Sequence, residues 1–287
     1  MTENKILIWA IYDSREGNRD QLTGVLNELN TEFKIIDVSY NKYSRLPNFI
    51  LQMLSGSLHI NQELLSILKE PYPDLIISCG RRTAPISLKI YKCLSKKPFL
   101  VHLMIPRFTF FQNHFDLIFT PKHDKIFKKK NIFQTLGTPN NMNLLLKEGP
   151  FSSVKEDSRF ITLLLGGDHS NFKLSVDNVR NILNIINYKI GSKKFLLIST
   201  SRRTNYKVIE YLDNKAKSEC VSIKSIYHPN RKNNNKNPIK DFLLQSSEII
   251  VTGDSMSMIS QACSIKKPVR LYFNRKICSK KHILFCK

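Results

Sequence analysis

The sequence predicts an α/β protein built from two Rossmann-like domains, each an open parallel sheet covered by helices, facing a cleft. Three observations predict it. Short β-branched runs alternate with longer segments of helical period, the pattern of a parallel sheet with helices on both faces. At 287 residues, 41% of them hydrophobic, the chain is long for one α/β domain and carries apolar surface for two cores. Between Gly137 and Ser158 the periodicity fails and Gly137, Pro139, Gly149, Pro150, paired Asn and a Ser pair accumulate, as in a linker. The boundary is therefore placed near residue 150, giving domains over 1–150 and 151–287.

In chain order, the first half is expected to form strands near Ile6–Ile11, Phe33–Val38, Leu75–Ser78, Phe99–Met104, Leu117–Thr120 and Ile132–Thr135. Segments of helical period near Arg19–Asn30, Asn48–Ser57, Glu63–Lys69 and Thr83–Leu94 fill the gaps. The second half restarts with strands near Phe160–Leu165, Phe195–Ser199, Ser222–Tyr227, Ile249–Thr252 and Val269–Phe273. Helices are expected near Asn171–Tyr188, Tyr206–Lys217, Ile239–Gln245 and Met256–Ser264. Asn237-Pro238 reads as an N-cap followed by a first-turn proline. Arg231 to Asn237, rich in Asn and Lys, reads as an exposed loop.

Composition narrows the function classes. No apolar run approaches the roughly 20 residues that cross a bilayer. The opening residues lack the long apolar region and small-residue cleavage site of a secretory signal, which predicts a cytoplasmic protein. Six cysteines lie scattered with no CxxC pair, so neither a zinc cluster nor a disulfide framework is expected. Forty-five Lys and Arg against 23 Asp and Glu give a net charge of +22, a field that draws phosphorylated ligands, anionic lipid or nucleic acid. No RRM, KH or helix-turn-helix signature accompanies it, which argues against nucleic acid as the partner. The basic-apolar segments Lys122–Lys130 and Arg275–Lys287 could rest on an anionic membrane, or be solvated faces.

Ligands of doubly wound sheets bind beyond the carboxyl ends of the strands, so the residues after each strand carry the functional reading. Gly166-Gly167 lets the backbone approach a phosphate at a helix start, or is a plain turn. Ser201-Arg202-Arg203-Thr204 offers hydroxyls and two guanidinium forks that match phosphate oxygens, with Thr204 as a helix cap; a solvated basic turn is the alternative. Asp254 and Ser255 stand at the mouth before Met258, where Asp254 either accepts from a sugar hydroxyl or shares the capping role with Ser255. In the first half Gly80-Arg81-Arg82 repeats the arginine turn, and facing pairs would hold a polyanion. His102 ends one strand and His123-Asp124 follows another; each His is a general base or a structural hydrogen-bonder. His114, Asp116, His123 and Asp124 match metal-ligand types, but their order fits no standard spacing and no metal is expected.

Taken together, GRRTAP at 80–85, PKHD at 121–124, LLGGD at 164–168, STSRRT at 199–204, NP at 237–238 and VTGDSMSMISQA at 251–262 resemble the mitochondrial-fission "elongated mitochondria" (ELM) family. Trp9, Gly17 and Gln21 extend the resemblance to the opening strand and turn. The resemblance implies a GT-B fold, as in glycosyltransferases that bind a nucleotide diphosphate sugar chiefly through the C-terminal domain. By that implication Gly166, Gly167, Ser201, Arg202, Arg203, Thr204, Asp254, Ser255 and Met258 line the donor side. Gly80, Arg81, Arg82, His102, His123 and Asp124 line the acceptor side. Gln261 stands where the family usually has a ribose-binding Glu, and can hydrogen-bond a hydroxyl without charge. No cofactor beyond the nucleotide sugar is implied. The other reading is a non-catalytic scaffold of the same fold that works through a protein or membrane partner.

Overall fold

The computed structural model describes residues 6–29, 31–47, 50–51, 60, 70–106, 109–124, 129–142, 157–169, 172–190, 194–218, 222–231, 237–275 and 277–286. The chain divides into two compact units, Met1–Asn141 and Met142–Lys287, a division nine residues before the boundary placed from composition. Apart from residues 50–51, the helices expected near 48–57 and 63–69 lie outside the described residues, as does 143–156 of the linker expected over 137–158.

In the first unit β1 (Ile8–Tyr12), α1 (Glu16–Glu28), β2 (Phe33–Asp37), β3 (Leu75–Cys79), α2 (Thr83–Cys93), β4 (Phe99–Leu103), α3 (Thr109–Gln112), β5 (Leu117–Pro121) and β6 (Ile132–Thr135) follow in order. The strands form a parallel sheet ordered β2-β1-β3-β4-β5-β6. Successive side chains alternate faces, so one strand feeds two cores. Trp9, Ile11, Ile76 and Leu100 pack with Ile86 and Ile90 of α2, whereas Ala10, Tyr12, Ile77 and Leu103 pack with Leu22 and Leu26 of α1.

In the second unit β7 (Asp157–Leu165), α4 (Val176–Ile190), β8 (Phe195–Thr200), α5 (Tyr206–Lys217), β9 (Ile223–Tyr227), α6 (Ile239–Gln245), β10 (Ser246–Thr252), α7 (Met256–Cys263), β11 (Val269–Tyr272) and α8 (Lys280–Phe285) follow in order. Their parallel sheet runs β11-β10-β7-β8-β9. Leu163, Leu165 and Ile198 pack with Val179, Ile182 and Leu183 of α4, and Leu164, Ile249 and Val251 pack with Leu243 of α6 and Ile259 of α7.

In both sheets the chain starts inside, builds outward on one side and then returns to the other. The reversal falls between β1 and β3 in the first unit and between β7 and β10 in the second. Such a switch point opens a crevice at the carboxyl ends of the strands, because the connections leave in opposite directions.

Several element ends differ from expectation for local reasons. α4 starts at Val176, later than the expected Asn171, because Ser175 and Asn178 cap one another: the Ser175 N–H donates to Asn178 Oδ1 at 3.0 Å and the Asn178 N–H to Ser175 Oγ at 3.3 Å. α6 starts at Ile239 as expected, but Pro238 takes the capping position expected of Asn237 and does not enter the first turn; Asn237 Oδ1 still accepts the Ile239 N–H at 3.1 Å. α8 was not expected. It draws Ile277, Cys278 and His282 into buried positions, so the segment expected as a free basic face is partly core. Among the described residues no helix is long and apolar enough to cross a membrane.

Candidate functional site

The second unit's switch point gathers three strand ends. After β7, the Gly166 N–H donates to Thr252 Oγ1 at 2.8 Å and the Gly167 N–H to Asp254 Oδ2 at 2.6 Å, which ties the glycine pair to the end of β10. Neither glycine tolerates a side chain. A Cβ on Gly166 would sit 2.0 Å from Asp254 Oδ2, and one on Gly167 would sit 2.3 Å from the Arg203 carbonyl carbon. From the other side, Ser201 Oγ donates to the Gly166 carbonyl at 3.0 Å and Thr204 Oγ1 donates to the same oxygen. The Asp168 N–H donates to the Arg203 carbonyl at 2.9 Å, and the Arg203 guanidinium returns to the carbonyls of Gly167 and Asp168 at 3.3 and 3.1 Å.

The expected roles redistribute within this knot. Thr204 is buried and braces the glycine turn; the cap of α5 is Asn205, whose side chain accepts the Lys207 N–H at 3.0 Å. Asp254 is 1% exposed, so it faces the glycine turn and not a sugar hydroxyl in solvent. Its second oxygen, Oδ1, is enclosed without a hydrogen-bond partner. Ser255 holds the N-cap position of α7, yet neither its side chain nor that of Asp254 caps the helix. Met258 belongs to the core beside Leu243 and Ile259 and does not line the site. Gln261 is half-buried on α7. Arg202 is exposed between the residues that brace the turn.

The first unit's switch point is closed differently. Asp13, after β1, is 2% exposed and accepts the Arg15 N–H at 3.0 Å, the Asn18 side-chain amide at 2.9 Å and the Tyr40 hydroxyl at 3.3 Å. Burial first, then the Asp13 charge, drives the Tyr40 hydroxyl far above the usual phenol range. Gly80 takes φ +96° where a Cβ would meet the Asn18 amide at 2.2 Å. Arg82 is 5% exposed and its guanidinium donates to the Leu46 carbonyl, so it braces the loop and is not offered to a ligand; Arg81 is half-exposed.

His102 is a correction. It is fully buried on β4, with Nδ1 2.7 Å from Ser78 Oγ, Ser87 Oγ 2.9 Å from Ser78 Oγ, and its ring 4.8 Å from that of Phe115. Burial holds its pKa down to about 3, which removes it as a general base toward any substrate. His123 and Asp124 form the turn after β5, where Thr120 Oγ1 donates to Asp124 Oδ2 at 3.2 Å, two strands away from the switch point. His114 and Asp116 precede β5 while His123 and Asp124 follow it, a span of roughly 16 Å at the rise of a strand. Among the described residues no cluster of His, Cys, Asp and Glu could hold a metal.

Two groups at the second site escaped sequence reading. His169 follows the glycine turn, and the ring of His282 in α8 meets it edge-on at 5.3 Å. The available signal was Ser279-Lys280-Lys281-His282, a capping-box spacing with His in the usual Glu or Gln place.

Two open parallel sheets with switch-point loops of this kind define a GT-B-like protein, and solved structures agree. S. aureus MnaA, in a co-structure with UDP, matches with a TM-score of 0.53 at 16% identity, covering 92% of this chain and 78% of that one. CalG4, the calicheamicin glycosyltransferase, matches with a TM-score of 0.50 at 9% identity, covering 98% and 83%. The chain belongs to the mitochondrial fission ELM1 family, whose profile matches residues 16–287. Relatives include the uncharacterized protein RP120 of Rickettsia prowazekii (strain Madrid E), 30% identical over 315 residues, covering 97% of this chain and 86% of that protein. The mitochondrial fission protein ELM1 of Arabidopsis thaliana is 24% identical over 224 residues, covering 69% of this chain and 51% of that protein.

Proposed function

We propose that this protein is glycosyltransferase-like and binds a nucleotide diphosphate sugar through the second unit, at the loops after β7, β8 and β10. The observation that carries the reading is the open N-terminus of α7 beside a glycine pair that leaves no room for side chains. A helix start without a side-chain cap suits a diphosphate, and the exposed Arg202 supplies a fork for its oxygens. These groups would neutralise a departing diphosphate without a metal. MnaA of S. aureus, similar in fold, holds UDP in its structure. His102 is enclosed and His123 is only 6% exposed, so neither imidazole is offered as the base toward an acceptor hydroxyl.

A thermal-shift panel of UDP, ADP, GDP and their sugars tests the reading. A ligand at 100 times its Kd stabilises by about 2.7 kcal/mol, so a binding nucleotide raises the melting temperature by several degrees. Arg202→Ala is expected to abolish the shift while leaving the unliganded melting temperature in place; a panel with no shift ends the reading. The burial of His102 and the uncharged Gln261 favour a second reading, a scaffold that holds the nucleotide sugar without turnover. Sugar release from a radiolabelled donor supports the enzyme. Tight binding with no release supports the scaffold.

A further inference from the structure

The imidazole pair at the mouth of the second site carries an inference beyond the nucleotide reading and rests on it. His169 is exposed, and its backbone exchanges two hydrogen bonds with Phe172, at 2.8 and 2.9 Å, which fixes where the ring leaves the chain one residue beyond the braced turn. His282 is 2% exposed and meets the His169 ring at 89°.

The cap of α8 decides the charge state of His282. Its Nδ1 accepts the Ser279 backbone N–H at 3.2 Å and lies 2.7 Å from Ser279 Oγ, which in turn accepts the His282 backbone N–H at 3.4 Å. A ring nitrogen that accepts an N–H carries no proton, so neutral His282 keeps its proton on Nε2. Protonating Nδ1 would set donor against donor and break the cap. Burial, foremost, and then His169 lower the His282 pKa; Arg203 and Lys281 act the same way, and Asp254 opposes them.

We propose that His169 is a ligand-contacting residue of this site, that His282 is the positioning residue that sets its ring, and that binding a phosphorylated ligand takes up a proton at His169. Two imidazoles in edge contact do not both carry charge cheaply, and the cap assigns neutrality to His282. The charged groups around the pair are Asp168 beside His169, Arg203 on the β8–α5 turn, Asp254 on the β10–α7 turn and Lys281 on α8 itself. Arg203 is engaged with the carbonyls of Gly167 and Asp168, and Asp254 with the Gly167 N–H. His169 is thus the side chain of the pair left to answer an arriving anion, alongside the exposed Arg202. The anion stabilises the imidazolium, so affinity falls as pH rises through neutrality.

Calorimetry of UDP binding tests this between about pH 5.5 and about pH 8, in buffers of different ionisation enthalpy. The wild-type protein is expected to lose affinity roughly tenfold across that range and to show buffer-dependent heats that report proton uptake. His169→Gln is expected to bind more weakly with a flat pH profile. His282→Gln keeps the capping box, so α8 stays folded, and is expected to shift the pH profile while the melting temperature moves little. Binding of UDP with no proton uptake, or a His169→Gln protein that keeps the wild-type profile, overturns the proposal and leaves the nucleotide reading standing. Failure of the wild-type protein to bind UDP, ADP, GDP or any of their sugars at any pH overturns both.

Discussion

At the first switch point Asp13 follows β1 and is fully engaged: Arg15, Asn18 and Tyr40 all donate to its carboxylate, and Asn18 occupies the space left by the missing Cβ of Gly80. At the second, Asp254 follows β10 and occupies the space left by the missing Cβ of Gly166, yet among the described residues only Gly167 donates to it and Oδ1 is enclosed without a partner. In both units a strand-end glycine makes room for a buried carboxylate or its partner: Asn18, which donates to Asp13, in the first, and Asp254 itself in the second. They differ in completeness. An unsatisfied buried acceptor costs about 1–3 kcal/mol, and such costs collect where a surface is shaped for a ligand. The first crevice has been closed by its own side chains, down to Arg82 on the Leu46 carbonyl, while the second keeps Arg202 and the start of α7 open.

The sharpest test of the comparison is a methyl group at each glycine. A Cβ on Gly167 meets backbone, the Arg203 carbonyl and the Thr204 nitrogen at 2.3–2.4 Å, so the β8 turn must move and the bond between the Asp168 N–H and the Arg203 carbonyl is lost. A Cβ on Gly80 meets the end of the flexible Asn18 side chain, although φ +96° adds left-handed strain of about 1–2 kcal/mol. Gly167→Ala is therefore expected to cost about 4 kcal/mol or to unfold the second unit, and Gly80→Ala about 2–3 kcal/mol. Urea denaturation followed by circular dichroism checks both. Trp9, the sole tryptophan and fully buried, reports the first unit by fluorescence. A Gly80→Ala loss that equals or exceeds that of Gly167→Ala breaks the comparison.

What was legible in the sequence follows the same divide. The central strands were readable because they are short, apolar and buried on both faces, and α5 and α6 were found at their observed ends. α8 was missed because Lys280 and Lys281 read as a solvated face, although Ser279 and His282 are a cap in hydrogen-bond terms. The glycine and arginine turns were readable as loops at strand ends, but which of their side chains face inward was not. Thr204 and Asn205 are adjacent potential caps, and only packing against Gly166 assigns Thr204 to the turn. Arg82 and Arg202 are both preceded and followed by polar residues, and only the Leu46 carbonyl separates them. His102 sits in Phe-Leu-Val-His-Leu, and that apolar company was the available sign of burial.

Histidines sharpen the contrast at smaller scale. His102 is held near pKa 3 by burial, against about 6.5 for a free imidazole. Below about pH 6.5 the unfolded chain binds a proton that the folded chain refuses, so stability is fully present above that pH and falls as the pH drops toward 3, by up to about 1.4 kcal/mol per pH unit. Trp9 fluorescence during urea denaturation between about pH 4 and about pH 7 should show this slope for the first unit, and His102→Leu should flatten it. An unchanged slope would mean that the acid sensitivity of the first unit arises from other groups.

The smallest expected effect concerns the two non-glycine residues found in left-handed backbone among the described residues, Met104 at φ 73° after β4 and Lys266 at φ 55° before β11. Lys266 lies within the narrow left-handed region open to ordinary residues, and Met104 lies just beyond it. Replacement by Gly removes the steric penalty and adds freedom to the unfolded chain, so the net gain is expected to be about 0.5 kcal/mol for Met104→Gly and about zero for Lys266→Gly. The Met104 N–H donates to the Phe119 carbonyl at 2.8 Å, a bond that glycine keeps, and the side chain is 38% exposed, so little packing is lost. A melting temperature that falls in Met104→Gly would show that the first unit's mouth depends on the thioether side chain as well as on the backbone turn. The first crevice would then be held by a strained residue, as well as by Asp13, and the view that it is the relaxed half of the pair would have to be given up.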